Sequence, residues 1–301
     1  MSVSVVIPVK DGERFIAEAV NSALQQGPAV GEVIVVDDGS RDRTAEIVSR
    51  LDDIRLKMIG GPHKGVSFAR NHGARGARGQ WLVFLDADDR LCPQAVNRLM
   101  AAAADHEGAV AAYGDYERID EKGRVVGKRR LLSDRKKPEG DILQRLLTGN
   151  FIVNGGVMLI DRRTFLRFGG FDETLRYCED WHAWCRLAAE GPIAYLGGPR
   201  VLDYRVHDAS TMMARNRSYR DDEPALERIF KEPFILQRFG ADTLASLKKQ
   251  ARTHLRIYSL TQAIRAHRYR EAIRLAARTV RERPAATPRM SFYAAAALCG
   301  I

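Results

Sequence analysis

The chain has 301 residues, of which 45% are hydrophobic and 29% charged, so it can bury the core of an ordinary globular protein. Lysine and arginine total 48 against 38 for aspartate and glutamate, and the formal net charge of +10 favours anionic partners. The sequence contains no apolar run long enough to cross a bilayer, no nucleic-acid-binding signature and no paired cysteine spacing. It opens directly into a strand pattern without a secretory signal, which predicts a cytoplasmic protein. Because the sequence has no nucleic-acid-binding signature, we expect no nucleic-acid partner.

Strands and helices alternate from the first residue to about residue 115. Runs of β-branched and aromatic residues predict strands near 3–9, 32–37, 54–59, 81–86 and 109–115. Apolar residues at helical spacing predict helices near 13–25, 43–51, 65–77 and 94–104. Such alternation is typical of a parallel-rich, doubly wound α/β sheet.

The pattern changes in the second part of the chain. Residues 116–140 are charged and contain glycine, which predicts a hairpin or a mobile loop. The elements predicted next are helices near 140–148, 162–168 and 180–189 and strands near 156–160, 193–196 and 201–206. From about residue 217 the sequence is nearly all helical, with helices near 242–266, 269–282 and 289–299.

Two of the predicted strands end in closely spaced carboxylates. The run at 81–85 is followed by Asp-Ala-Asp-Asp at 86–89, and the run at 32–36 is followed by Asp37 and Asp38. Ligands of open α/β sheets bind beyond the carboxyl ends of the strands, so these carboxylates predict one polar pocket. A divalent cation with oxygen ligands would relieve their mutual repulsion. Alternatively, Asp88 or Asp89 only caps the helix that begins near Pro93.

The turn after the first strand limits the choice of enzyme class. Residues 8–12 read Pro-Val-Lys-Asp-Gly, which is neither a dinucleotide-binding glycine motif nor a Walker A motif. This turn disfavours a dinucleotide-dependent oxidoreductase and a P-loop phosphotransferase. It could still form a third wall of the polar pocket.

A second acidic group, Glu179 and Asp180, precedes a predicted helix. A carboxylate there could act as a general base, with a pKa raised by its neighbours, or could simply interact favourably with the helix dipole. His207 follows the strand near 201–206 and could bind a metal or a phosphate, or be structural.

Taken in order, six segments resemble motifs of the family 2 inverting glycosyltransferases, which have the GT-A fold. They read Val-Val-Ile-Pro-Val-Lys-Asp-Gly-Glu at 5–13, Val-Asp-Asp-Gly-Ser-Arg-Asp-Arg-Thr at 36–44, Gly-Val-Ser-Phe-Ala-Arg-Asn-His-Gly at 65–73, Phe-Leu-Asp-Ala-Asp-Asp at 84–89, Glu-Asp-Trp at 179–181 and Tyr-Arg-Val-His at 204–207. The resemblance covers residues 3–207 and leaves out the C-terminal third. It implies a Rossmann-like mixed sheet flanked by helices, followed by an α-helical C-terminal extension.

For the donor side, the resemblance implies a nucleotide-diphosphate sugar, with UDP as the expected nucleotide. Asp38 would accept a hydrogen bond from the base, and the base and ribose would be bordered by Pro8, Val9, Asp11 and Glu13. One departure concerns Lys10, because the family more often has an aromatic residue and then asparagine at positions 9 and 10. Lys10 could contact a donor phosphate.

For the chemistry, the resemblance implies a Mn²⁺ or Mg²⁺ ion and a general base. Asp88 would ligate the cation, Asp86 would lie near the ribose or a metal-bound water, and His207 would help to hold the metal or the diphosphate. Asp180 would be the base, with Glu179 as the alternative candidate.

The predicted organisation is therefore a GT-A catalytic domain at 1–215 and a helical region at 216–301. Within the catalytic domain, residues 1–115 would form the donor half and 116–215 the acceptor half. The expected function is transfer of a hexosyl-type sugar to a glycan or lipid-linked acceptor in cell-surface polysaccharide synthesis. The alternatives are a nucleotidyltransferase and a non-catalytic sugar-nucleotide-binding subunit. The basic helical region could contact an anionic membrane from the cytoplasmic side, form a homodimer interface or support the catalytic domain.

Overall fold

The computed structural model describes residues 2–126, 137–207 and 217–298. Its strands are β1 (Val3–Val9), β2 (Val30–Asp37), β3 (Leu56–Gly60), β4 (Trp81–Phe84), β5 (Arg90–Leu91), β6 (Ala111–Tyr113), β7 (Tyr116–Ile119), β8 (Met158–Asp161), β9 (Ile193–Tyr195) and β10 (Leu202–Arg205). Its α-helices are α1 (Ile16–Leu24), α2 (Thr44–Ser49), α3 (Val66–Gly76), α4 (Ala95–Asp105), α5 (Leu143–Leu147), α6 (Arg162–Arg167), α7 (Glu179–Glu190), α8 (Tyr219–Ile229), α9 (Pro233–Arg238), α10 (Ala241–Arg265), α11 (Tyr269–Glu282) and α12 (Thr287–Leu298).

Seven strands form the main sheet in the order β3-β2-β1-β4-β8-β6-β9. The four strands from β3 to β4 are parallel, as predicted, and β8 runs antiparallel to both of its neighbours, β4 and β6. The sheet is therefore mixed, which confirms the predicted fold class. Every residue of β1 is buried, because this strand lies in the middle of the parallel half and is covered on both faces.

Helix α3 lies directly against the parallel strands. A Cβ atom built on Gly73 would come within 2.4 Å of Val6 Cγ1 and 3.1 Å of Val36 Cγ2. Glycine is needed here because any side chain would push the helix away from the sheet. Because α3 packs so closely, Arg70, three residues before Gly73, reaches Asp86 beyond the carboxyl end of β4.

A second sheet, in the order β5-β10-β7, was not predicted from the sequence. β10 pairs in parallel with β7 and antiparallel with β5. The segment predicted as a hairpin or loop thus begins with a strand, and an isolated bridge between Ile119 and Val125 closes a hairpin-like turn. Residues 127–136 lie outside the described part of the chain. His207 lies two residues after β10, the central strand of this small sheet.

The C-terminal region is helical, as predicted, and its long helix α10 packs against α8, α11 and α12. α10 also contacts α5 of the preceding region. The predicted boundary at residues 215 and 216 falls in the segment 208–216, outside the described residues. Within the described ranges, none of the helices combines the length and the apolar character that a bilayer crossing requires.

Candidate active site

Arg70 on α3 connects the two acidic groups that the sequence singled out. Its Nη2 donates to Asp86 Oδ1 at 2.7 Å, and its Nη1 donates to Glu179 Oε1 at 2.9 Å. The Arg70 side chain is only 7% exposed. A buried guanidinium needs compensating charge, and two carboxylates from distant parts of the chain supply it here. The planar fork of arginine suits this bridge because it can donate to two acceptors at once.

Asp86, which is 25% exposed, and the buried Asp89 share a donor beside this bridge. Asn154 Nδ2 donates to Asp89 Oδ2 at 2.8 Å and to Asp86 Oδ2 at 3.3 Å, and the Arg205 amide donates to Asp89 Oδ1 at 2.8 Å. Burial, followed by repulsion from Asp88 and Asp86, raises the pKa of Asp89 well above its usual range. Burial also raises the pKa of Asp86, although Arg70 opposes this effect.

Neither Asp88 nor Asp89 caps the following helix, since the N-cap residue of α4 is Gln94. The capping alternative is therefore wrong. Asp88 instead contacts His207, with 2.9 Å between Asp88 Oδ2 and His207 Nε2. The Asp88 carboxylate is 33% exposed, and the His207 side chain is 10% exposed. Arg205 fixes the backbone beneath this contact, because its Nε donates to the Asp88 carbonyl at 2.7 Å.

The donor atoms at this edge suit a Mn²⁺ or Mg²⁺ ion. Asp88 offers a partly exposed carboxylate beside the imidazole of His207, and such cations are often held by one or two carboxylates together with substrate phosphates. Asp86 is placed differently, because Arg70 and Asn154 already contact both of its oxygens. Within the described segments, no group of three potential metal ligands is assembled. The three-residue metal site stays a prediction, with Asp88 and His207 in direct contact.

Asp180 lies in the first turn of α7, so it is close to the positive end of the helix dipole. Its Oδ2 accepts from Asn150 Nδ2 at 3.1 Å, and its Oδ1 accepts from the Trp181 amide at 2.7 Å. Burial, followed by repulsion from Glu179, raises the pKa of Asp180 to about 7. Part of its surface remains accessible. Such a carboxyl can accept a proton near neutral pH, as a general base requires.

The predicted donor-binding residues lie at the same edge, and several of them are engaged in holding loops. Asp38 is buried, and its two oxygens accept from the amides of Lys64 at 3.0 Å and Gly65 at 2.6 Å. Pro8 and Val9 end β1, which pairs with the end of β2. These contacts order the strand ends at which the nucleotide is predicted to bind.

Asp11 and Glu13 join the first loop to the second. Asp11 Oδ1 accepts from the Arg41 amide at 2.7 Å, and Glu13 Oε2 accepts from the Arg43 amide at 3.1 Å. Lys10, which directly precedes Asp11, is exposed. Asp11 has a positive φ of 53°, which an aspartate tolerates better than most residues.

Sequence reasoning assigned no role to several residues that hold this site together. Arg70 was quoted within the Ala-Arg-Asn segment, and its position on a helix beside two acidic strand ends was the available signal. Arg205 likewise stands in the matching segment at 204–207. Asn150 and Asn154 had no comparable signal, because their roles depend on contacts between segments far apart in the chain.

We predict that Arg70→Met destabilises the protein by about 3 kcal/mol at neutral pH, because two partly buried carboxylates lose their shared cation. Burial already raises the pKa of Asp86, and loss of Arg70 raises it further. A carboxyl with a raised pKa in the folded state costs stability as pH rises above its unfolded value. The deficit should therefore shrink between about pH 7 and pH 5. Urea unfolding across this range measures it.

Arg75→Met is the matched control, since Arg75 is exposed on the same helix. It should change the free energy of unfolding by less than about 0.5 kcal/mol at any pH in this range. An Arg70→Met deficit that does not depend on pH would contradict the proposed charge compensation.

The family model for "Glycosyl transferase family 2" matches residues 4–168. An uncharacterized glycosyltransferase of Rickettsia typhi is 28% identical over 273 residues, covering 87% of this chain and 84% of that protein. The succinoglycan biosynthesis protein ExoO of Rhizobium meliloti is 28% identical over 263 residues, covering 83% of this chain and 72% of that protein.

The fold is also similar to a solved structure. The structure of Staphylococcus aureus TarS residues 1–349 in complex with UDP-GlcNAc has a TM-score of 0.70 and 18% identity, and it covers 99% of this chain and 89% of that chain. This likeness extends through the helical C-terminal region and confirms the GT-A-type fold. The matched family model spans more than half of the sequence, and the chain belongs to glycosyl transferase family 2.

Proposed function

We propose that this family 2 glycosyltransferase is a metal-dependent, inverting hexosyltransferase-type enzyme that uses a UDP-sugar. Its acceptor would be a hydroxyl of a glycan or a lipid-linked glycan in cell-surface polysaccharide synthesis. The observation that carries the proposal is the bridge by Arg70. It joins Asp86, two residues before Asp88, to Glu179, which directly precedes Asp180. This bridge supports the proposal that the donor and the base lie at one edge of the sheet.

The names of related proteins support the substrate classes. The solved TarS structure contains UDP-GlcNAc, and ExoO is named for succinoglycan biosynthesis. Membership in family 2 favours sugar transfer over nucleotidyl transfer. A non-catalytic binding subunit would not need an acidic side chain with a pKa near neutrality in an accessible position.

In the proposed mechanism, Asp180 takes the proton from the acceptor hydroxyl as that oxygen attacks the anomeric carbon. Asn150 orients the carboxylate, because its amide donates to Asp180 Oδ2. One displacement inverts the anomeric centre, so a covalent nucleophile is not required. Glu179 is held by Arg70 and is therefore less suited to be the base.

Asp88 and His207 would hold the cation, and Lys10 could contact a donor phosphate. A bound divalent cation would supply Lewis-acid stabilisation of the negative charge on the leaving diphosphate. Arg205 fixes the backbone of Asp88 by donating to its carbonyl oxygen. Asn154 donates to both Asp86 and Asp89 and so links these two carboxyl groups.

We also propose that α11 rests on an anionic membrane surface, where a lipid-linked acceptor would be found. Tyr269, Ile273 and Val280 are exposed and lie along one side of this helix. An adjacent row of exposed arginines is formed by Arg270, Arg274 and Arg281. Apolar side chains beside arginines are the features that bind an amphipathic helix to anionic lipid.

We predict that Asp180→Asn lowers kcat by about 10²–10⁴-fold while the affinity for UDP changes little, because the substitution removes only the proton acceptor. In the unsubstituted enzyme, kcat/KM should rise with pH around a midpoint near 7, since the deprotonated carboxylate is the active form. Steady-state kinetics and calorimetric UDP titration measure both effects. Retention of full activity by a folded Asp180→Asn variant would refute the assignment, and Glu179→Gln tests the alternative base.

We predict that Asp88→Asn weakens Mn²⁺-dependent UDP binding by at least about tenfold, because it removes a charged ligand without changing side-chain size. Calorimetric titration of UDP with and without Mn²⁺ measures the effect. Asp52→Asn, at an exposed position, is the control and should bind like the unsubstituted protein. An unchanged Mn²⁺ dependence in Asp88→Asn would argue against Asp88 as a ligand.

We predict that a triple variant abolishes cosedimentation of the protein with vesicles that contain anionic lipid. In this variant glutamate replaces Arg270, Arg274 and Arg281. Each arginine near an anionic lipid surface contributes about 1 kcal/mol to the free energy of membrane binding. The control replaces Arg75, Arg78 and Arg163, which are also exposed, and makes the same change in net charge. The membrane proposal fails if both triple variants bind equally, or if the unsubstituted protein does not bind anionic vesicles.

A further inference from the structure

Arg217 contacts the two residues immediately before the candidate catalytic pair. Its Nη2 lies 3.3 Å from Cys178 Sγ, and its guanidinium lies over the ring of Tyr177 at 4.6 Å. The same guanidinium lies 5.6 Å from the ring centroid of Tyr258 on α10. Arg217 lies two residues before the first residue of α8. An arginine at the start of the C-terminal region therefore packs against the N-terminus of α7.

The position of Arg217 is fixed by buried partners. Its side chain is 11% exposed, and its Nη2 lies 2.6 Å from Asp222 Oδ1 on α8, whose side chain is 1% exposed. Cys178 Sγ lies 3.6 Å from the same oxygen. The Arg268 guanidinium donates to the carbonyl of Arg217, which holds the main chain as well. An arginine held by an ion pair, a thiol and two aromatic rings has little freedom to turn towards solvent.

Cys178 itself is in the left-handed region, with a φ of 58°, at the N-cap of α7. Such a backbone conformation persists only where surrounding contacts hold it. The Arg217–Asp222 pair supplies such contacts, because both side chains lie within 3.6 Å of Cys178 Sγ. The two arginines therefore hold the start of α7 from two different parts of the fold, one from α3 and one from the segment before α8.

We propose that Arg217 is a positioning residue for sugar transfer, which holds the start of α7 and with it the Asp180 side chain. The proposal rests on the proposed function in one respect, namely that Asp180 is the base. It assigns to the C-terminal helical region a direct part in the active site, in addition to any membrane contact.

The groups that act on Asp180 come from four parts of the fold. They are Glu179, Cys178 and Cys185 at or on α7, Arg70 on α3, Arg217 before α8 and Tyr258 on α10. Burial and Glu179 raise the pKa of Asp180, whereas Arg70 and Arg217 lower it. Arg70 is shared between Asp86 and Glu179, so Arg217 is the second positive charge that favours the carboxylate form.

The test is a carboxyl ¹³C NMR titration of the full chain labelled at aspartate, with the Asp180 signal identified by its absence in Asp180→Asn. Arg217→Gln should move the Asp180 midpoint to higher pH by about half a unit or more. Arg217→Lys should restore most of the shift because it keeps the charge. Arg220→Gln is the matched control at an exposed position on α8 and should leave the midpoint unchanged.

A second readout is the pH profile of kcat/KM, with UDP-GlcNAc hydrolysis in the presence of Mn²⁺ as the assay. The rising limb should move with the NMR midpoint in Arg217→Gln. A folded Arg217→Gln protein with an unchanged midpoint overturns the proposal, because a purely structural role would lower the melting temperature without moving the titration.

If Arg217→Gln does not fold, Asp222→Asn provides the decision. It keeps the positive charge of Arg217 and removes its counter-ion, so the Asp180 midpoint should move to lower pH, and an unchanged or higher midpoint overturns the proposal. The titration needs no substrate. If Asp180→Asn proved fully active, the proposed base would fail even when Arg217 shifts the midpoint, so the two failures can be distinguished.

Discussion

The candidate site depends on one buried guanidinium shared by two carboxylates. Arg70 holds Asp86 at the end of the parallel half of the sheet and Glu179 at the start of α7, and 109 residues separate Arg70 from Glu179 in the sequence. Gly73 makes this bridge possible, because the absent side chain lets α3 lie close to β1 and β2. Without Arg70, burial of two carboxylates at one edge would be unfavourable, and the two acidic groups would have no common anchor.

The aspartates at this edge of the sheet differ in their hydrogen-bond partners. Asp86, Asp89 and Asp38 are held by protein donors, and these contacts order the backbone. Asp88 and Asp180 are partly accessible, and each contacts one neighbouring side chain, His207 for Asp88 and Asn150 for Asp180. Carboxylates with similar sequence settings thus acquire different roles, because the surrounding donors differ.

The helical C-terminal region is part of the same arrangement. Arg217 and Asp222 pack against the residues before Glu179, and α10 contacts α5, the helix that precedes Asn150. The outer side of α11 carries exposed arginines together with exposed apolar side chains. The region can therefore support the site on its inner side while it presents a different surface to a partner.

The sequence alone determined the alternation of strands and helices, the acidic strand ends and the family motifs, because these follow from local hydrophobic periodicity and short segments. It could not give the second sheet, in which β10 joins β5 and β7, since pairing between short strands depends on long-range contacts. It also could not assign Arg70, Asn150, Asn154 or Arg217. Only the tertiary structure decided which carboxylates are neutralised by neighbours and which remain accessible, because charge compensation in a buried site depends on distance in space.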